Sequence, residues 1–348
     1  MKEVLNIISD SYNKKIIGGP NKVIVNTLKG LDLVGYPYVL NKNVHNYKMN
    51  WIHDSIRGFI EVTNSNIPAV IGPNIFTLPK DIPSFIPLKY NSIYLHPSDW
   101  CVDVWKQLNY NRCPLHSWPV GIDTYSFAPS TCRSSKHVLV YLKKRQPELL
   151  EYALKIVSQH GFIPIVIKYG SYNEEDYIKA LNIASFGIWI GCSESQGIGL
   201  QEALSTNLPL VVCDVNSLLE STQQSYRFPK YVKDFKATSV PYFDDRCGII
   251  LKDIHELNDA ISHMSMHLSE YSPRDYILDH LTLEKKALQL LSFFQILKED
   301  RKKQHVLKSN SNNFKIGNLN KLIYLIYIIH RKVKTVFKLF RNYLFKMK

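Results

Sequence analysis

Residues 193–214 read SESQGIGLQEALSTNLPLVVCD, an apolar-flanked turn with Gly197 and Gly199 and with carboxylates Glu194 and Glu202 on either side. Glycines at a helix start let the backbone approach an anion, because the first N–H groups are unpaired and the helix dipole favours negative charge there. Acidic side chains at the same place would repel a phosphate. A ligand with both phosphates and hydroxyls reconciles the two, since carboxylates accept from hydroxyl donors while backbone amides hold phosphate. A nucleotide sugar is such a ligand. The alternative is that Glu202 only stabilises its helix and Glu194 is a solvated loop residue.

Upstream, FGIWIG (186–191) is an apolar strand that ends at Gly191, and LQEALST (200–206) is helical in composition. In open α/β sheets, ligands bind beyond the carboxyl ends of strands. SESQGIG therefore lies where a ligand is expected, and Glu202 lies on the first turn of the following helix.

The same alternation runs along the whole chain. Apolar, β-rich runs at EVLNIIS, YPYVLN, IPAVIG and NSIYLH alternate with helical stretches in the first 120 residues, and the pattern restarts at HVLVYL (137–142). This predicts an α/β protein with two doubly wound, Rossmann-like domains facing across a cleft. The segment GIDTYSFAPSTCRSSK (121–136) reads as the linker. The expected units are an acceptor-side domain at 1–125, a nucleotide-sugar domain with closing helices at 126–300, and a basic tail at 301–348. A length of 348 residues with 45% hydrophobic content also favours two cores over one.

Charge is distributed unevenly. The 13 Lys and Arg of residues 301–348 meet no Asp or Glu, so residues 1–300 hold 30 basic and 30 acidic side chains and the tail carries the entire net charge of +13. A nucleic-acid-binding protein more often spreads basic residues over its folded body, so nucleic acid is not an expected partner. Within the tail, the apolar run 322–329 would extend only about 12 Å as a helix, short of a hydrocarbon core of about 30 Å. Leu322, Ile326, Ile329, Val333, Val336, Phe340 and Leu344 recur at helical spacing, with Lys332, Lys334, Lys338 and Arg341 mostly off that stripe. Residues 318–348 are thus expected to lie on an anionic membrane surface as an interfacial helix; a helix packed on the protein is the alternative.

Six cysteines without C-x-x-C spacing fit a reducing compartment better than a disulfide framework. The start MKEVLNIISDSYNKK has an acidic residue at position 3 and an apolar stretch broken by Asn6 and Ser9, unlike a signal peptide. The expected location is cytoplasmic, peripheral to the cytosolic membrane face. GIGLQE lacks the third glycine of a dinucleotide fingerprint, and no P-loop pattern occurs. HMSMH (263–267) lacks the inner Glu of a zinc helix, and Asp244 and Asp245 read as loop carboxylates, so no metal site is expected.

The spacing from Glu194 over seven residues to Glu202, then Ala203 and later Pro209 opening an apolar strand, resembles the signature of retaining GT-B glycosyltransferases, notably family 4. Gly197, three residues after the first Glu, agrees with it. Asn207 stands where the family usually has glycine, and Asn tolerates the left-handed conformation of a helix C-cap. SWPVGIDTYSFAP (117–129) resembles the family's interdomain segment, and IIGGPNKVIVNTLKGL (16–31) its first glycine loop and helix.

The resemblance implies that Glu194 holds donor-sugar hydroxyls and that the amides of Ser195, Gln196, Gly197, Ile198 and Gly199 line the sugar and diphosphate. Glu202 would then hold the ribose hydroxyls. The family places cations after the first strand of the second domain, where this chain has Lys143, Lys144 and Arg145; Lys143 is favoured by position, with Arg145 as helper, unless all three are solvated. Gly18 and Gly19 would approach the sugar phosphate from the first domain. His53, Asp54 and Asn74 also end strand-like runs and are candidates to meet the acceptor. The implied function is sugar transfer from a nucleotide donor to a glycan or lipid-linked acceptor, with retention and without cofactor or metal. A nucleotide-sugar epimerase of the same fold and a non-catalytic glycan or nucleotide-sugar binding protein are the alternatives.

Overall fold

The computed structural model describes residues 3–12, 18–73, 75–131, 133–220 and 235–307, with the backbone alone for residues 300–307. The first sheet comprises β1 (Leu5–Ile8), β2 (Tyr38–Leu40), β3 (Met49–Ile52), β4 (Ala69–Ile71), β5 (Ser92–His96) and β6 (Leu115–Ser117), in the order β2-β1-β3-β4-β5-β6. The second comprises β7 (His137–Leu142), β8 (Ile163–Lys168), β9 (Phe186–Ile190), β10 (Leu210–Cys213) and β11 (Gly248–Leu251), in the order β11-β10-β9-β7-β8. Every strand pair is parallel. Strand order reverses around β1 and around β7, so each sheet has the switch point at which such folds open a crevice.

Burial on both faces explains the strand sequences. β9, FGIWI, and β10, LVVC, are buried at every position, which requires continuous apolar runs rather than alternation. Among the described residues β8 pairs only with β7, and it carries Pro164, which an edge strand tolerates because one side of its backbone needs no partner. The strand β11 follows the carboxylates of PYFDDRCG and was not evident in the sequence reading.

In the first domain, α1 (Gly19–Leu33), α2 (Ile56–Asn64) and α3 (Asp99–Gln107) form the crossovers. In the second, α4 (Pro147–Gln159), α5 (Glu174–Ile183), α6 (Ile198–Ser205), α7 (Leu257–Met266) and α8 (Pro273–His280) cover the sheet. The last helix, α9 (Leu283–Leu307), does not stay with them. Its Ala287, Leu290, Phe293, Phe294 and Leu297 pack in one core with Leu5, Val23, Ile24 and Leu31 of the first domain. An apolar face that matches α1 draws the chain back across the cleft.

The two crossings between domains are pinned to each other. Ile122 N–H donates to Leu281 O at 2.7 Å. A Cβ on Gly121 would sit 2.5 Å from Leu283 Cα, and one on Gly30 of α1 would sit 2.5 Å from Leu283 O, so glycine is what lets the three segments meet. Among the described residues no disulfide joins the cysteines. No described helix is long and apolar enough to cross a membrane. The interfacial helix expected at 318–348 lies outside the described residues.

Candidate active site

The carboxyl ends of β7 and β9 lie side by side, and the residues after them meet. Lys143 Nζ, just beyond β7, lies 2.5 Å from Glu194 Oε1, beyond β9, and both side chains are largely buried. Burial favours the neutral amine, but the Glu194 carboxylate outweighs it and holds the Lys143 ammonium above its usual range. The ammonium also sits 4.3 Å over the Tyr169 ring, at the end of β8. A cation and a hydroxyl acceptor are thus held at one point, in register with the switch of strand order.

The loop that carries Glu194 is held from both domains. Its N–H donates to Thr238 O at 3.0 Å, and its carbonyl accepts from Trp100 Nε1, on α3, at 2.9 Å. Two residues on, the buried Gln196 accepts from Val120 N–H at 3.0 Å and donates to Val120 O at 2.9 Å and Gln201 Oε1 at 3.0 Å. Its side chain therefore clamps the loop to the interdomain segment and is not left for a ligand. Gly197 caps α6 in the left-handed conformation, φ 80°, which a Cβ would strain. The N–H groups of Ile198 and Gly199 follow at the helix start, and Gly199 O accepts from Tyr177 Oη at 2.5 Å. Asn207 closes the turn after α6 with φ 61°, the left-handed conformation expected of it, and its Oδ1 accepts from Arg274 N–H at 3.2 Å.

Glu202 lies on α6, a helix with most positions buried, and is only 3% exposed. Burial pushes its carboxyl up to about 7, against Lys22, which lowers it. Lys22 stands on the first turn of α1, and its Nζ lies 2.5 Å from Glu202 Oε1 and 2.8 Å from Glu174 Oε1. Burial disfavours the Lys22 ammonium too, and the two carboxylates still hold it above its ordinary range. At Glu202 burial outweighs the ion pair, whereas at the less deeply buried Lys22 the ion pairs outweigh burial, so both groups end above their ordinary values.

A pocket of about 350 Å³ opens between the domains beside the Lys143–Glu194 pair. Lys143, Lys144, Ser193, Glu194 and Ser195 line its polar side, and Phe76, Leu78, His96, Trp100 and Trp105 are among those across from them. Two aromatic side chains fasten the loop after β4: Trp105 Nε1 donates to Thr77 O at 3.1 Å, and Tyr94 Oη accepts from Phe76 N–H at 3.3 Å. His96, at the end of β5, is 3% exposed, and burial pushes its imidazole down to about 3, so it stays neutral there.

Other candidates fall elsewhere. Arg145 is turned to the second domain's own backbone: its Nη1 donates to Gly191 O at 2.9 Å, and its Nη2 lies 3.8 Å from Glu220 Oε1. It braces the Glu194 loop from behind rather than lining the pocket. His53 is fully buried, and its Nδ1 lies 3.4 Å from Asp54 Oδ1. Asp54 accepts from Asp10 N–H at 2.8 Å and Ser11 N–H at 3.1 Å. Burial acts against the charge of Asp54, but His53 and those donors hold its carboxyl well below the usual range. This pair ties down the loop after β1 and does not face the pocket. Asn74 lies outside the described residues. Gly18 and Gly19 lead into α1, and a Cβ on either would meet nothing within 4 Å, so the space beside them is open.

Lys22, His96, Trp100 and Tyr169 were missed in the sequence reading. The signal for His96 was present: it ends the run NSIYLH just as His53 nearly ends its own, and the rule on strand ends applies to both. Lys22 follows the glycine pair by three residues, but which side of the first turn faces the other domain depends on packing.

No protein-family model matches the chain, and the search of curated proteins returned no match. Solved structures do resemble it. The catalytic domain of starch synthase IV from Arabidopsis thaliana, bound to ADP and acarbose, superposes with a TM-score of 0.52 at 8% identity, over 86% of this chain and 99% of that one. An alpha-glucosyltransferase in complex with UDP and a 13-mer DNA containing an HMU base gives 0.52 at 9% identity, over 85% and 100%. Sucrose-phosphate synthase from Thermosynechococcus elongatus gives 0.51 at 9%, over 86% and 100%. Two parallel-sheet, Rossmann-like domains with a shared cleft and a returning last helix define the architecture: the fold is GT-B.

Proposed function

We propose that the protein is a glycosyltransferase that transfers a sugar from a nucleotide-sugar donor to an acceptor held by the first domain. The observation that carries this reading is the pair of carboxylates, Glu194 and Glu202, at the strand-order switch of the second domain, the first bound to Lys143 and the second almost fully buried. Glu194 takes sugar hydroxyls, Glu202 takes the ribose, and Lys143 meets charge that grows on the departing diphosphate. The amides after Ser195 line the phosphates. The apolar pocket wall of Phe76, Leu78 and Trp105 receives the acceptor side.

Retention at the anomeric carbon is part of the same proposal: the leaving phosphate accepts the proton of the incoming hydroxyl on the face it departs from. So is delivery of a glycan or lipid-linked acceptor at the membrane, supported by the concentration of all excess positive charge in residues 301–348. The proposal includes no metal or cofactor.

A panel of nucleotide sugars tests it. A true donor raises the melting temperature by mass action, and Glu202→Gln removes that shift. Sugar then appears on an added acceptor and not as free or isomerised nucleotide sugar. Isomerisation without acceptor would identify an epimerase, and binding without any turnover a non-catalytic protein.

A further inference from the structure

Lys22 belongs to the first domain, yet its strongest contacts are with the second. Its ammonium bridges Glu202 on α6 and Glu174 on α5, and lies 5.1 Å over the ring of Phe127 in the interdomain segment. Glu202 is nearly inaccessible, and the other charged groups that face it, Glu174 and Asp123, are acidic. Two phenols, the buried Tyr177 and the partly buried Tyr172, also stand near it. Lys22 is the cation that offsets the burial of this carboxylate, and it comes from across the cleft.

We propose that Lys22 positions Glu202 for the donor: reaching from the first domain, it occupies the ribose-binding carboxylate until a donor arrives, and then withdraws onto Glu174. The proposal rests on the assignment of ribose to Glu202 made above. Glu174 suits the exchange, because it is well exposed and already holds the same ammonium at 2.8 Å. The ammonium can leave the Glu202 oxygen to two ribose hydroxyls and remain close enough to keep that group ionised. A carboxylate accepts from both hydroxyls, whereas the protonated acid spends one oxygen as a donor. The bridge also joins α1 of the first domain to α5 and α6 of the second.

Binding of UDP, ADP and GDP to the full-length protein, measured by calorimetry from pH 6 to 9, tests this. For the nucleotide that binds the wild type, affinity should fall as pH drops through about 7, where Glu202 takes up its proton. In Lys22→Met the midpoint should move up by a unit or more, so that at pH 7 binding weakens about tenfold while at pH 9 it equals or exceeds the wild type, a competitor having been removed. Lys22→Arg should restore the wild-type profile. A Lys22→Met midpoint equal to that of the wild type, or an equal loss at every pH, overturns the role of Lys22. Glu202→Gln separates the two levels: if it binds as the wild type does, the ribose assignment itself falls. If no nucleotide binds the wild type, both fall.

Discussion

Lys143 Nζ and Glu194 Oε1 lie 2.5 Å apart at the ends of adjacent strands, each offsetting the charge of the other. A cation free to move from a carboxylate to a departing phosphate needs little reorganisation when that charge develops. Lys143→Ala should lower turnover by about 10²- to 10³-fold. It should also leave Glu194 a buried carboxylate without its partner, which costs stability as well. Single-turnover rates on protein shown to be folded by circular dichroism separate the two effects. Near-normal turnover would remove Lys143 from the chemistry.

Arg145 should behave differently from its neighbour. Its guanidinium serves the carbonyl of Gly191, so Arg145→Met should destabilise the fold by about 1–3 kcal/mol in urea denaturation, while nucleotide affinity changes little. A variant of normal stability that loses nucleotide binding would return Arg145 to the diphosphate.

Glu202 makes stability depend on pH. Its folded value of about 7 exceeds the ordinary value of about 4.3, so the folded state holds the proton more tightly between those limits and stability falls as pH rises through that window. Glu202→Gln has no such titration. The stability of Glu202→Gln relative to the wild type should therefore increase between pH 5 and pH 8, by on the order of 1–3 kcal/mol. Parallel urea midpoints across that range would show that the buried carboxyl is not strained.

Gly121 is where the crossing chains touch. Gly121→Ala places a methyl group 2.5 Å from Leu283 Cα, and backbone must move to admit it. A loss of about 1–3 kcal/mol is expected, with weakened nucleotide binding as the domains are displaced. Full stability and full binding in this variant would mean that the crossing is not tightly packed.

The basic segment beyond α9 is expected to act at a membrane. The chain cut after Leu307 should keep its fold and its nucleotide binding but lose affinity for anionic liposomes, and high salt should release the full-length protein only in part. Sedimentation of the shortened protein with the liposomes would remove the membrane role.

Much of the architecture was legible because parallel strands buried on both faces must be written as unbroken apolar runs. FGIWI and LPLVVC could be placed in a doubly wound sheet, and SESQGIG at its carboxyl edge, from pattern alone. Asn207 could be read as a left-handed turn residue because its side chain tolerates what most cannot, and it has φ 61°. β11 escaped because four residues after an acidic turn carry too little pattern to distinguish a strand from a loop.

The amino-acid sequence by itself determined two Rossmann-like units, the loop between them and the placing of Glu194 and Glu202, since these depend on periodicity and on residues close along the chain. Only the tertiary structure decided which charges meet. Lys143, Lys144 and Arg145 are consecutive, yet the first pairs with Glu194 and the third turns to Gly191. Likewise, His53 is enclosed while His96 lines the pocket, and Lys22 reaches Glu202 across 180 positions of sequence. Spacing along a strand or helix fixes the direction of a side chain, but its partner is set by the packing of one domain on the other, and that information lies in the sum of many distant contacts.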